Sequence, residues 1–241
     1  MANLVIDIGN TALKAAWTDE VTLGKTFRYQ GERIMDFILS ITSKVKPDTM
    51  VVSTVRELSQ RNMSVLEKEC EKLVVIDSGH SEIFSEYGIP SCLTPDRAAS
   101  VIAARYLFKG RGCSVFDFGT TLTIDFICAD GKYKGGNISV GCRTRFKAIN
   151  RYSKSLPLLD TPNCIDEYGS SVVSSIGTGI IKGMIYEIDG YISENPENIV
   201  VFTGGDAIYF AKRMKNSIFV VCNLVLIGLA LIADKYDKKL D

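Results

Sequence analysis

The sequence has very little histidine, and its cysteines do not form metal-binding or disulfide motifs. Its 241 residues contain one histidine, His80, which excludes a site built from two histidine ligands of one chain. The seven cysteines are scattered, odd in number and without a CxxC pair. This argues against a zinc ribbon or a disulfide framework. We therefore expect reduced thiols and a cytoplasmic protein.

The chain also lacks an excess of charge and a long apolar run. The 28 basic and 28 acidic side chains cancel, so a general electrostatic affinity for nucleic acid is not expected. The first residues have neither a basic segment nor a long apolar stretch, so no secretory signal is predicted. The most apolar segment, 218–233, is interrupted by Asn223 and Gly228 and is too short to predict a membrane span.

The most informative feature is an internal repeat, V-I-D-I-G-N-T at 5–11 and V-F-D-F-G-T-T at 115–121. Each copy joins a hydrophobic strand to a second strand through an Asp, a Gly and a Thr. The copies lie 110 residues apart, close to half the chain, which predicts two similar domains. Because Lys109–Gly112 is rich in turn residues, we predict domains at 1–110 and 111–241.

Hydrophobic periodicity predicts strands that alternate with helices, which is typical of the α/β class. The main helices are predicted at 34–45, 57–73, 96–108, 143–151, 172–192 and 224–235. Strands are predicted at 4–8, 13–17, 21–29, 50–52, 74–76, 114–118, 121–128, 199–202 and 218–221. A loop is predicted from Ser78 to Pro95.

The repeated motif suits a polyphosphate ligand, because glycine lets the backbone approach a ligand and turn amides and hydroxyls bind phosphate oxygens. Asp7 would repel a phosphate unless a cation lay between them, and Mg²⁺ typically binds one or two carboxylates together with substrate phosphates. The alternative is a pair of ordinary tight turns, but two copies at half-chain spacing favour binding. Lys14 either reaches a phosphate or faces solvent. The candidate residues are Asp7, Gly9, Asn10, Thr11, Lys14, Gly119, Thr120 and Thr121.

Two further segments are candidates for the same site. Gly204 and Gly205 follow a buried strand and precede a helix, where a flat ring or a phosphate can lie on bare backbone. Asp96 falls in the first turn of a predicted helix that Thr94 caps and Pro95 opens. It either interacts with the helix dipole or accepts a proton from a substrate hydroxyl. Arg97 could hold a carboxylate or a phosphate.

Together these motifs resemble the type III pantothenate kinases, also called the Bvg accessory factor family, over nearly the whole chain. The resemblance implies two tandem actin-like, or ribonuclease H-like, ATPase domains with mixed sheets flanked by helices. It rests on the ordered set Asp7–Thr11, Asp117–Asp125, Gly131–Ile138, Thr203–Gly205 and Leu224–Leu229.

The resemblance also implies a reaction, the phosphorylation of pantothenate by ATP in the first step of coenzyme A synthesis. Asp96 would be the catalytic base, Asp7 would help to hold Mg²⁺, and Asp125 would bind a monovalent cation, K⁺ or NH₄⁺. Gly204 and Gly205 would bind adenosine. A homodimer is implied, with no nucleic acid or membrane partner. The implied pantothenate contacts are Tyr87, Thr94, Pro95, Asp96, Arg97 and Val172.

Two departures from the family pattern keep other functions open. Thr94 stands where the family pattern G-x-D-R has its glycine, and Val172 stands where a substrate-contacting threonine is expected. A kinase of the same fold acting on another small alcohol is one alternative. A non-catalytic nucleotide-binding regulatory protein is the other, although the intact Asp96 argues against it.

Overall fold

A computed structural model describes residues 2–55, 57–77, 79–80 and 82–238 of the chain. Two residues of the predicted loop, Ser78 and Ser81, lie outside this part. The chain divides into two compact units, one comprising Met1–Leu107 with Asn223–Asp241 and the other Phe108–Cys222. Among the described residues, no helix is long and apolar enough to cross a membrane.

The first unit is built on a five-stranded mixed sheet. Its strands are β1 (Asn3–Ile8), β2 (Leu13–Asp19), β3 (Thr22–Tyr29), β4 (Thr49–Thr54) and β5 (Lys72–Ile76). Their order is β3-β2-β1-β4-β5, with antiparallel pairing among the first three and parallel pairing of β1, β4 and β5. Its first four helices are α1 (Ile34–Thr42), α2 (Gln60–Glu67), α3 (Glu82–Ser85) and α4 (Pro95–Leu107).

The second unit repeats this arrangement. Its strands are β6 (Cys113–Phe118), β7 (Thr121–Ile127), β8 (Tyr133–Val140), β9 (Ile199–Gly204) and β10 (Ile218–Val220). The order β8-β7-β6-β9-β10 and the pairing directions match those of the first sheet. Its helices are α5 (Cys142–Tyr152), α6 (Val172–Glu194) and α7 (Ala207–Ala211). The repeat in the sequence therefore extends to the topology of both sheets.

The C-terminal helix α8 (Leu224–Asp237) corrects the predicted domain boundary, because it belongs to the first unit. It packs on α4 and on β1 and β4. A Cβ atom at Gly228 would lie 2.0 Å from the carbonyl oxygen of Ala99, so the two helices cross at a distance that only glycine permits. At the far end of α8, the carboxylate of Asp237 accepts hydrogen bonds from Asn3 at 2.5 Å and Thr49 at 2.8 Å.

Each sheet buries alternate side chains against its helices. In the first unit, Leu4 and Ile6 pack with Ile38 of α1 and Leu66 of α2, and all four are fully buried. In the second unit, Phe116 and Phe202 stack edge to face at 5.3 Å between ring centroids and pack with residues of α6. Each such side chain contributes about 1.5–3 kcal/mol of hydrophobic free energy, so these two cores hold the loops at the strand ends in place.

The elements differ from the predicted ones in several places. Helix α3 (Glu82–Ser85) forms within the segment from Ser78 to Pro95 that was predicted to be a loop. The helix predicted at 57–73 ends at Glu67, because residues from Lys72 onward pair with β4 as strand β5. Strand β8 was not predicted, since Gly135 and Gly136 are poor strand formers. Its pairing with β7 makes it a strand, and Gly135 takes a φ of +135° at an irregularity in the register.

Candidate active site

The first glycine turn, Gly9–Ala12, connects β1 to β2. The amide of Gly9 donates to the carbonyl of Ala12 at 3.1 Å, which closes the turn. The side chains of Asn10 and Thr11 are exposed on it. The turn therefore presents an amide and a hydroxyl group at the end of a buried strand, as the sequence predicts.

Asp7 precedes this turn on β1 and is half-buried. The fully buried Ser53 of β4 donates to Asp7 Oδ1 at 3.4 Å. Lys14 lies directly opposite Asp7 in the antiparallel register of β1 and β2, so the two side chains project from the same face of the sheet. A carboxylate and an ammonium group thus lie behind the first glycine turn.

The second glycine turn, Gly119–Thr121, is one residue shorter. The amide of Gly119 donates to the carbonyl of Thr121 at 3.0 Å. Helix α5 begins against this turn, because Gly141 N donates to Thr120 O at 3.1 Å and Thr144 Oγ1 donates to the same oxygen at 2.7 Å. A Cβ at Gly141 would lie 2.2 Å from Gly119 O, so this position requires glycine.

The Gly204-Gly205 segment lies beside the second glycine turn. Gly204 pairs with Phe118 in the parallel register of β9 and β6, and Gly205 N donates to Phe118 O at 2.9 Å. Gly204 has a φ of +91°, and a Cβ there would lie 2.4 Å from Asp117 Oδ1. The structure therefore brings the predicted adenosine residues and the second glycine turn together on one edge of the second sheet.

Asp206, which follows this segment, was missed by the sequence analysis. It stands at the N-cap position of helix α7 without a side-chain capping hydrogen bond, and burial raises the pKa of its carboxyl group while Arg143 opposes the rise. Its position directly after a Gly-Gly pair was the available signal. A half-buried carboxyl group next to the predicted nucleotide residues is suited to accept hydrogen bonds from a ligand.

Asp125 lies in the middle of β7 with a side chain that is 1% exposed. The hydroxyl of Tyr133, at the start of β8, donates to Asp125 Oδ1 at 2.8 Å. A buried carboxylate is costly unless hydrogen bonds or a cation compensate its charge. The donor set, a carboxylate and a phenol oxygen, fits the predicted cation site. Tyr133 was missed, although the Asp130-Gly131 hairpin turn was a signal that β8 returns beside Asp125.

Asp96 lies in the first turn of α4, as predicted, and is half-buried. Its Oδ1 atom is buried, yet none of the described residues supplies a hydrogen-bond partner for it. Buried polar atoms without partners are rare in proteins and often mark a place where a ligand or water binds. The neighbouring Thr94 is exposed, Pro95 is buried and Arg97 is half-buried.

Tyr87 belongs to the segment that precedes α4. Its hydroxyl oxygen is also buried, and no partner for it exists in the described part of the chain. Burial raises the pKa of this phenol to about 12, so the hydroxyl keeps its proton and can donate. Arg105 of α4 donates to the carbonyl of Tyr87 at 2.6 Å. The helix that carries Asp96 therefore also anchors Tyr87.

Two other residues from the sequence analysis, Val172 and His80, lie at exposed positions. Val172 is the first residue of α6 and is 55% exposed. The hydroxyls of Ser171 and Ser174 on either side of it form a capping box, so both serve the helix end. His80 is exposed, as expected for a loop residue, and its Nδ1 lies 2.9 Å from Asp77 Oδ1.

Comparison with known proteins identifies the family. A family model described as type III pantothenate kinase matches residues 3–194. A type III pantothenate kinase of Phocaeicola vulgatus is 37% identical over 245 residues, with 98% of this chain and 99% of the relative covered. The chain belongs to the type III pantothenate kinase family. The resemblance read from the sequence motifs is thereby confirmed.

Solved structures confirm the predicted actin-like fold. A conserved Baf family protein of Campylobacter jejuni, described as a transcriptional activator, superposes with a TM-score of 0.67 at 20% identity, with 98% of this chain and 99% of that chain covered. An activator of 2-hydroxyisocaproyl-CoA dehydratase from Clostridium difficile, with bound ADPNP, gives 0.61 at 12% identity, with 100% and 97% covered. At these identities the likeness establishes the α/β fold. The roles of individual side chains in this pantothenate kinase family member stay predictions.

Proposed function

We propose that the chain transfers the γ-phosphoryl group of ATP to the primary hydroxyl of pantothenate, with Asp96 as the catalytic base. Membership of the type III pantothenate kinase family supports the reaction. The observation that carries the choice of base is the buried Oδ1 of Asp96, for which the described residues supply no hydrogen-bond partner. The product would be 4′-phosphopantothenate, the first intermediate of coenzyme A synthesis.

Asp96 would orient the acceptor hydroxyl and take its proton as the phosphorus–oxygen bond forms. A substrate hydroxyl donating to Oδ1 would supply a hydrogen bond that none of the described residues supplies, which favours binding with the hydroxyl directed at the carboxylate. Phosphoryl transfer needs mainly positioning and charge stabilisation, so orientation is the larger part of this task.

Residues around Asp96 would hold the rest of the acceptor. Tyr87 would donate its hydroxyl, and the half-buried guanidinium of Arg97 would pair with the carboxylate of pantothenate. Thr94 and Pro95 would form the wall at the start of α4. Val172 would contact the acceptor only through its exposed side chain, which is apolar where the family has a hydroxyl.

The nucleotide would bind through the two glycine turns and the Gly204-Gly205 segment. Backbone amides and the hydroxyls of Thr11, Thr120 and Thr121 are donors for phosphate oxygens, while Asn10 and Lys14 add an amide and a positive charge. Bare backbone at Gly204 and Gly205 would face adenosine. The side chains of Asn10, Thr11, Thr120 and Thr121 are exposed at strand ends, where a ligand can reach them, and Lys14 is half-buried on β2.

The residues fit a magnesium ion that is shared with the nucleotide. No group of three His, Cys, Asp or Glu side chains able to hold a metal occurs in the described part of the chain. Asp7 offers one hard oxygen ligand beside the first glycine turn, and Mg²⁺ characteristically combines one or two carboxylates with substrate phosphates and water. When bound, Mg²⁺ would neutralise charge on the phosphates. Asp7 would orient it from the end of β1.

Asp125 would bind a monovalent cation, K⁺ or NH₄⁺, in the second unit, and its carboxylate would balance the charge of that cation. The support is its buried carboxylate, whose Oδ1 receives the Tyr133 hydroxyl. Exchanging K⁺ for Na⁺ would lower the activity of the wild-type protein, and Asp125→Asn would remove that ion dependence.

We also propose a homodimer in the cytoplasm. The second unit has a groove of about 530 Å³ between α5 and α6. Val140, which lines this groove, and Val172 and Val173, the first two residues of α6, are exposed apolar side chains, and exposed apolar surface of this kind typically marks an interface. Free thiols at all seven cysteines are consistent with a reducing compartment.

A coupled ADP-release assay with ATP, Mg²⁺ and K⁺ tests the reaction and its base together. Turnover should depend on pantothenate and should fall roughly 10²- to 10⁴-fold in Asp96→Asn. Asp36 is a matched control, because it also lies in the first turn of a helix but is exposed on α1. Asp36→Asn should retain full activity. Turnover with another alcohol, or nucleotide binding without turnover, would favour the alternative functions.

A further inference from the structure

The ring of Tyr87 is contacted from the C-terminal helix. Lys235 Nζ of α8 lies 4.2 Å from the centroid of the Tyr87 ring. The same nitrogen lies 3.1 Å from Glu86 Oε2, on the residue next to Tyr87. One ammonium group therefore contacts two consecutive side chains, through a cation–π contact and an ion pair.

Arg105 fixes the same segment through its backbone. Its Nη1 donates to the carbonyl of Tyr87 at 2.6 Å, from the helix that begins with Pro95 and Asp96. Glu86, Lys235 and Arg105 are hereafter called the Tyr87 clamp. Because the contacts come from α4 and α8, the clamp fixes both the ring and the backbone of Tyr87.

The clamp leaves one polar group of Tyr87 for a ligand. Its contacts use the ring face and the carbonyl oxygen, whereas the hydroxyl oxygen is buried and lacks a partner in the described residues. Burial keeps that hydroxyl protonated, since the phenol pKa is raised to about 12. A buried donor on an immobilised ring is arranged to serve a bound molecule.

We propose that Lys235 is a positioning residue of the acceptor pocket, which holds the Tyr87 ring so that its hydroxyl donates to the bound pantothenate. This inference rests on the proposed function, because pantothenate is taken as the molecule that Tyr87 contacts. It assigns to the C-terminal helix a part in acceptor binding beyond its packing on α4. Lys235 acts through Tyr87 and contacts no reacting atom.

The kinetic test compares two lysines of the same helix. Lys235→Ala should raise the KM for pantothenate roughly fivefold, the size expected from losing an exposed cation–π contact and an ion pair. Its kcat and its KM for ATP should not change. Lys238 is the matched control, since it lies one turn further on and pairs with Asp234 at 2.8 Å. Lys238→Ala should leave all three constants unchanged, and Lys235→Arg should restore the KM for pantothenate.

A second readout does not depend on turnover. In protein labelled with 3-fluorotyrosine, the Tyr87 resonance in the ¹⁹F spectrum is assigned by its loss in Tyr87→Phe. Lys235→Ala should shift and broaden this resonance, and Lys238→Ala should leave it unchanged. An unshifted resonance in Lys235→Ala would overturn the inference, as would a KM for pantothenate equal to that of Lys238→Ala or one that Lys235→Arg fails to restore.

The two measurements separate failure of this inference from failure of the proposed function. If the wild-type protein does not phosphorylate pantothenate, the proposed function fails and the role of Lys235 in pantothenate binding fails with it. A ¹⁹F shift confined to Lys235→Ala would then still establish the Tyr87 clamp. If pantothenate is phosphorylated and Lys235→Ala behaves like Lys238→Ala, only the inference about Lys235 is overturned.

Discussion

The two units share one strand order, but they support their glycine turns differently. The second glycine turn is held by the start of α5, where Gly141 and Thr144 bind the carbonyl of Thr120. The first glycine turn is one residue longer. Behind it, Asp7 Oδ1 accepts a weak hydrogen bond of 3.4 Å from the hydroxyl of Ser53. Both copies of the motif place an aspartate before the turn, Asp7 and Asp117, but among the described residues only the second turn is bound by the start of a helix.

The units also differ in how the chain completes them. Residues of the second unit are continuous in sequence, whereas the first unit needs α8 from the other end of the chain. Because α8 packs on α4, the helix that carries Asp96 depends on a segment more than a hundred residues away. The residues of the first unit that we propose to bind the acceptor should therefore be more sensitive to changes at the C-terminus than the residues of the second unit.

The largest effect is expected when the crossing of α4 and α8 is broken. In Gly228→Ala the new Cβ meets the backbone of Ala99 at 2.0 Å, so the helices must separate. The free energy of unfolding in urea should fall by about 3 kcal/mol, and the KM for pantothenate should rise. Gly190→Ala on α6, where nothing lies within 4 Å of the new Cβ, should instead gain about 0.5–1 kcal/mol. Equal stabilities of the two variants would contradict this packing.

A smaller effect is expected at the second glycine turn. Gly141→Ala places a Cβ 2.2 Å from Gly119 O, so the turn and α5 must shift. The stability should fall by about 2 kcal/mol, and the KM for ATP should rise roughly tenfold or more, since small displacements of binding groups are costly. The KM for pantothenate should change less. A rise in the KM for pantothenate alone would contradict the assignment of this turn to the nucleotide.

Removing one hydroxyl group beside each turn should destabilise the protein by different amounts. Thr144→Val removes the 2.7 Å hydrogen bond to Thr120 and should cost about 1 kcal/mol of stability. Ser53→Ala removes only the 3.4 Å contact to Asp7 and should cost less. Urea unfolding of both variants measures the difference, and a larger loss in Ser53→Ala would reverse the comparison.

The smallest effect is expected at Asp77 and His80, which lie in the first unit. Hydrogen bonding to Asp77 raises the pKa of His80 above its ordinary value of 6.5. The imidazolium is therefore favoured in the folded protein, and its contribution is present below pH 6.5 and disappears as the pH rises through the raised pKa. His80→Gln should lower the melting temperature slightly at pH 6 and not at pH 9. A difference that grows with pH would contradict this sign.

The repeat made the first hairpin of each sheet predictable, β1 with β2 and β6 with β7, because each copy contains a strand, a turn and the start of the next strand. The position of Asp96 in the first turn of a helix was also predictable, since Thr94 and Pro95 signal the start of a helix. The packing of α8 on α4 could not be predicted, because Gly228 indicates a close contact but does not identify the helix that makes it. Strand β8 depends on pairing with β7, which outweighs the weak strand propensity of Gly135 and Gly136. The contacts of Lys235 with Tyr87 and Glu86 likewise join residues that no local pattern connects.

The central claim is tested most directly by identifying the product. After incubation of the purified protein with ATP, Mg²⁺, K⁺ and pantothenate, ³¹P–¹H correlation spectra should show one phosphate ester. It should be attached to the CH₂ group of the primary hydroxyl, and it should be absent with Asp96→Asn. Consumption of ATP without phosphorylated pantothenate, or a product formed equally well by Asp96→Asn, would contradict the account.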